Sequence, residues 1–112
     1  MLIGHTQDII NTCMNNLKNR IGFMQVFKDA DPYRAYEINT TLVNQLGDYL
    51  KDKHEYNSDI GEDCSNLMVN TLYSFDEFKG MFETLKPQVL ENLKLEFKDL
   101  VNNELKEKGP MD

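Results

Sequence analysis

The chain is predicted to fold as an all-α antiparallel bundle of four to five helices, in one domain over residues 1–112. Three observations predict it. Apolar residues return every three or four positions rather than every two, as a helix with one buried flank requires. Only three prolines and six glycines occur in 112 residues. The breaks that do occur carry helix stop and start chemistry, such as Asp31-Pro32 and Ser74-Phe75-Asp76-Glu77. A composition of 40% hydrophobic and 28% charged residues belongs to a folded chain, and this length suffices for one modest core.

The first helix is expected from about Thr6 or Asp8 to Lys28, on a stripe of Ile10, Cys13, Leu17, Ile21, Met24 and Phe27, widened by Ile9, Met14 and Val26. It should stop by Ala30, because the residue before a proline is displaced from helical geometry and Asp31 immediately precedes Pro32. Asp31 then caps a second helix from Pro32 to about His54, with Ala35, Ile38, Leu42, Leu46, Tyr49 and Leu50 inward. Gly22 and Gly47 lie at comparable distances from that turn, a placement that would permit a close crossing of the two helices and is equally compatible with no special role.

Ser58 or Asp59 is expected to cap a third helix, with Glu62 completing a capping box, and its stripe runs Ile60, Cys64, Leu67, Met68, Thr71, Leu72 and Phe75. A second box, Ser74 with Glu77, should open a short helix carrying Phe78, Met81, Phe82 and Leu85. Pro87 costs about 3 kcal/mol inside a helix, so a break is expected there, with Thr84 as the cap of the last helix. That helix shows Leu90, Leu93, Phe97 and Leu100 at spacings of three, four and three, a short coiled-coil-like seam that Val89, Val101 and Leu105 broaden toward an ordinary core face, and it leaves Leu95 exposed on the other side.

Net charge is −7, unevenly spread: residues 58–85 hold six acids and one base, whereas residues 1–28 hold one acid and three bases. Such a surface repels phosphate, which argues against direct nucleic-acid binding and against anionic lipid. No run approaches the ~20 apolar residues of a membrane span, and only Leu2 and Ile3 precede polar residues at the start, so a cytoplasmic protein of a cell or an infected host is expected. Cys13 and Cys64 fall among apolar helix positions and read as core thiols.

No catalytic, metal or cofactor signature is present. His5 and His54 lack a Glu three residues before them and a neighbouring thiol or imidazole. Asp29-Ala30-Asp31 opens like a calcium loop, but Arg34 occupies the glycine position and Thr40 the twelfth, which excludes an EF-hand. There is no phosphate-binding glycine loop and no nucleophile elbow. The expected role is therefore non-catalytic contact with a protein partner, as an inhibitor, immunity factor or adaptor. The expected docking residues are Glu62, Asp63, Asp76, Glu77, Glu83 and Leu95. The carboxylates also have an ordinary use, since those in the first turn of a helix stabilise its positive end by roughly 0.3–1 kcal/mol each.

One stretch carries a family likeness. Arg34-Ala35-Tyr36-Glu37-Ile38, followed by Leu42-Val43 and Asp48 and preceded by Asp31-Pro32, resembles the helical hairpin of small terminase subunits from large contractile-tailed phages. The likeness spans about residues 8–55. It implies a protein of phage or mobile-element type, an antiparallel coiled coil, assembly into a homo-oligomeric ring that regulates DNA packaging, and intersubunit pairing by Arg34 and Glu37. Two departures stand beside it. Tyr33 is an extra residue between the proline and the arginine, and the patterned helices beyond Asn57 replace the poorly ordered tail of that family.

Overall fold

A computed structural model describes residues 2–20, 27–52 and 60–108. Five helices are named here: α1 (Leu2–Lys18), α2 (Pro32–Asp52), α3 (Ile60–Leu72), α4 (Asp76–Thr84) and α5 (Pro87–Lys108). No strand occurs among the described residues. The fold is the all-α antiparallel bundle expected.

Four long helices pack in the cyclic order α1, α2, α3, α5, each against two neighbours. Their directions follow from cross-helix pairs. Gln45 and Tyr49 of α2 meet Thr71 and Asp63 of α3, respectively, so these two helices run in opposite directions. Gly61 and Glu62 of α3 meet Asn102 and Lys98 of α5, which again requires antiparallel packing. The short α4 closes the end where α3 finishes and both α2 and α5 begin.

The core is one cluster fed by every helix: Ile9, Ile10, Cys13, Met14 and Leu17; Ile38, Leu42, Val43, Leu46 and Leu50; Ile60, Cys64, Met68, Val69 and Leu72; Phe75, Phe78 and Phe82; Leu93, Phe97, Val101 and Leu105. Phe78 is the aromatic centre of the closed end, with Phe27 edge-on at 5.9 Å and Phe82 at 6.0 Å between ring centroids. Two buried polar side chains, Ser65 and Thr71, accompany it, and Thr71 is satisfied by donating to Gln45 Oε1 at 2.7 Å. Leu67 is only half-buried at the edge of this cluster.

Four local expectations are corrected. Helix one ends at Lys18 instead of running on to Lys28: the amides of Asn19 and Arg20 bond three residues back, to Asn16 and Leu17, which tightens and terminates the helix. Ser74 does not open α4. Its hydroxyl donates to the Thr71 carbonyl at 2.6 Å, satisfying the end of α3, and Phe75 takes the N-cap position in extended geometry because its ring is buried. Thr84 likewise donates to Met81 O at 2.8 Å and caps nothing ahead of it. The break at Pro87 is real, but α5 starts from Lys86, whose carbonyl accepts from Val89 and Leu90, with Pro87 in the first helical position.

The fourth correction concerns the α5 seam. Its fully buried residues are Leu93, Phe97, Val101 and Leu105, a strict spacing of four, while Leu90 and Leu100 are only partly covered. A row of that spacing is inclined to the helix axis and packs as a ridge in a groove, not as a coiled-coil seam. The Ser58/Asp59 cap and the Gly22 half of the glycine pair lie outside the described residues. Gly47, the other half, is buried in α2. A close approach occurs at Gly61, where an added Cβ would lie 2.6–2.7 Å from the Asn102 side-chain amide.

Candidate interaction surface

The start of α2 is fixed by a set of polar contacts. Asp31 caps it as expected, its Oδ1 accepting the Arg34 amide at 2.8 Å, and the Asp31 carbonyl takes the first helical bond from Ala35. Arg34 then reaches in two directions. Its Nη1 donates to Glu37 Oε1 at 2.8 Å on its own helix, while Nε and Nη2 grip the two oxygens of Glu77 on α4, the second at 3.1 Å. The guanidinium carbon lies 4.9 Å from the centroid of the Phe75 ring. A forked cation over an aromatic face between two carboxylates is the geometry arginine suits and lysine does not.

The charges respond accordingly. The hydrogen bond from Arg34 holds the Glu77 carboxyl below the ordinary glutamate range, helped by a backbone amide. Glu77, and after it Glu37, raises the Arg34 guanidinium still further above its already high value. Arg34 and Glu37, which the terminase likeness implies as intersubunit residues, are thus paired inside one chain and joined to Glu77.

Beside this clamp α2 exposes two aromatic rings. Tyr33 and Tyr36 are 88% and 72% exposed, and with Pro32 they line a shallow apolar hollow. They stand three residues apart and are therefore neighbours on the helix surface. Neither ring is among the docking residues expected from the sequence. The signal available was two tyrosines in the first turns of a capped helix, close enough to the Ala35–Ile38 stripe to read as core margin.

The expected docking residues divide among three places. Asp76, Glu77 and Glu83 lie on α4, where the side chains of Asp76 and Glu83 are exposed and make no ion pair or hydrogen bond with another described residue. Asp63 faces α2, where its Oδ2 accepts from the Tyr49 hydroxyl at 2.7 Å. Glu62 and Leu95 lie on the α3–α5 side, where Glu62 is 3.4 Å from Lys98. Leu95 is 49% exposed, as expected, and lines a cleft with Glu62, Ser65, Asn66, Glu91, Lys94 and Lys98. That cleft is internally neutralised, because Lys94 also faces Glu91 at 3.8 Å. The structure therefore does not assemble the six residues into one face.

Of the basic residues on the first third of the chain, Arg20 is engaged with Glu96, its Nε 2.9 Å from Oε2 as an ion pair without hydrogen-bond alignment, and Lys18 lies 5.1 Å over the Phe27 ring. Both cysteines are buried thiols. Among the described residues no group of three or more His, Cys, Asp or Glu side chains could hold a metal ion, and no helix is long and apolar enough to cross a membrane. His54 lies outside the described residues. Against protein-family models, curated proteins and solved structures, the chain finds no match.

Proposed function

We propose that this chain is a non-catalytic interaction protein, an acidic helical bundle that acts by occupying another protein as an inhibitor, immunity factor or adaptor. The observation that carries this reading is the exposure of Tyr33 and Tyr36 at the start of a capped and clamped helix. Tyrosine offers a large contact area with only two side-chain torsions to freeze, which is why it is over-represented among the few residues that dominate interface energies. The Asp31 cap and the Arg34–Glu77 clamp hold the backbone that carries the rings, so less ordering remains to be done on binding. The net charge of −7 adds long-range attraction for a basic partner surface.

The test is affinity capture from the native host, infected where the source is a phage, with the intact chain and with a Tyr33→Ala, Tyr36→Ala double variant as baits. A partner retained by the first and lost by the second supports the reading. Capture indifferent to both rings refutes it. Measurement of mass in solution separates a partner-binding monomer or dimer from a closed ring of many copies, the state that a packaging subunit requires.

A further inference from the structure

We infer that the exposed face of α2 takes an arginine-bearing linear segment of a partner protein, with guanidinium groups stacked on Tyr33 and Tyr36 and paired with the carboxylates beside them. The inference rests on the docking role proposed above and names its occupant. Tyr33, Glu37, Asn44 and Asp48 are all exposed and, at spacings of four, seven and four, form one outward strip along the helix. Tyr36 and Pro32 widen its first turn. The strip therefore offers aromatic faces at one end and carboxylates along its length.

The charges on the strip are available. Glu37 uses Oε1 for Arg34 and has no partner for its second oxygen among the described residues. Asp48 is 76% exposed at its side chain and only brushed by Lys51 at 4.0 Å. Arg34, the one cation in the first turns of α2, is already matched by Glu37 and Glu77 and held over Phe75, so it does little to repel an incoming cation. Residues 29–57 carry six acids against three bases, which selects a cationic occupant over an acidic one.

Arginine is favoured over lysine on physical grounds. Its planar guanidinium is weakly hydrated, stacks on aromatic rings and pairs with a carboxylate through two parallel bonds, whereas an ammonium ion holds its water and presents a point charge. A neutral proline-rich segment would use the same rings without needing Glu37 or Asp48.

Calorimetric titration of the full chain with three synthetic peptides, arginine-rich, charge-matched lysine-rich and neutral proline-rich, tests the assignment. The arginine-rich peptide should bind tightest and weaken as salt is raised. Its affinity should fall on the order of tenfold in the Tyr33→Ala, Tyr36→Ala variant, which loses two stacking contacts. A Glu37→Gln, Asp48→Asn variant should bind it more weakly and with a shallower salt dependence. Because these side chains are exposed, a thermal melt of the tyrosine variant should match that of the parent and exclude misfolding as the cause. Arginine binding that ignores the tyrosines, equal binding of the lysine peptide, or tighter binding of the proline-rich peptide overturns the assignment. If a native partner still depends on Tyr33 and Tyr36 while the arginine peptide does not bind, the arginine assignment falls and the docking surface stands.

Discussion

Arg34 and Glu77, 43 residues apart in sequence, are joined by a bidentate pair that ties the start of α2 to the start of α4. The pair is partly exposed, with about a third of each side chain open to solvent, so its contribution is screened. Its value is geometric: it ties α4 to the helix that carries the two tyrosines. Lysine at position 34 keeps the charge but loses the fork and the stacking on Phe75. Arg34→Lys should therefore lower the melting temperature nearly as much as Arg34→Ala, and the Arg34→Ala, Glu77→Ala double variant should lose less than the two single changes added together. Additive losses in that cycle would mean that the pair carries no coupling.

The pH dependence of this pair has a definite sign. Glu77 is held below its ordinary value in the folded chain, so folding favours its charged form. That stabilisation is complete above the ordinary glutamate value of about 4.3 and is lost as pH falls through the lower folded value. Denaturant melts of the parent and Glu77→Gln should differ most near neutrality and converge in acid. A difference that is constant down to acid pH would remove Glu77 titration from the account.

At Gly61 the prediction is steric. An alanine Cβ would press against the Asn102 amide at 2.6–2.7 Å, and that amide is itself awkward, because its oxygen is buried without a hydrogen-bond partner among the described residues. Gly61→Ala obliges the Asn102 side chain to swing away, so it should cost no more than about 1–3 kcal/mol by overpacking. Asn102→Ala should cost little, since it deletes an unsatisfied polar group, and it should restore most of the loss when combined with Gly61→Ala. Chemical denaturation of the three variants checks this. If Gly61→Ala is neutral alone, the helices have room that this packing denies them.

What was legible in the sequence was what short range decides. Asp31 had Pro32 beside it and a helix to cap, and it caps that helix. Ser74 had two uses within three residues, the start of α4 or the Thr71 carbonyl, and the burial of Phe75 selected the second. Leu90, Leu93, Phe97 and Leu100 fit a helical stripe as well as Leu93, Phe97, Val101 and Leu105 do; only the crossing of α5 against its neighbours selects between them. The Arg34–Glu77 clamp had no local signal at all. Tyr33 and Tyr36 escaped for a related reason, because whether a ring near an apolar stripe is covered depends on where the neighbouring helix ends.

The choice of stripe on α5 leads to a direct contrast. Phe97 is fully buried, whereas Leu95, two residues earlier, is half exposed. Phe97→Ala should cost about 3–5 kcal/mol through lost burial and the cavity left behind. Leu95→Ala should change stability by no more than about 0.5 kcal/mol. Because Leu95 lines the α3–α5 cleft, the same variant also asks whether that surface contributes to partner binding. A large stability loss at Leu95 would place it against the core and rotate the packing face of α5.

Cys64 supplies an alkaline counterpart to Glu77. Burial pushes its thiol up to about 12, with Cys13 and Asp63 adding to the shift. Protonated and enclosed, it should resist thiol reagents at neutral pH and react only when the chain opens, since the thiolate is the reactive form. Its linkage runs opposite to that of the glutamate. The folded state holds the proton more tightly than the unfolded chain, so this contribution is intact below the ordinary thiol value of about 8.5 and drains away as pH rises from there toward 12. Stability measured from pH 8 to 11 should fall more steeply in the parent than in Cys64→Ala, although the alanine variant starts lower because it leaves a small cavity. Rapid native-state labelling at pH 8, or parallel alkaline limbs in the two proteins, would show that the thiol is neither enclosed nor shifted.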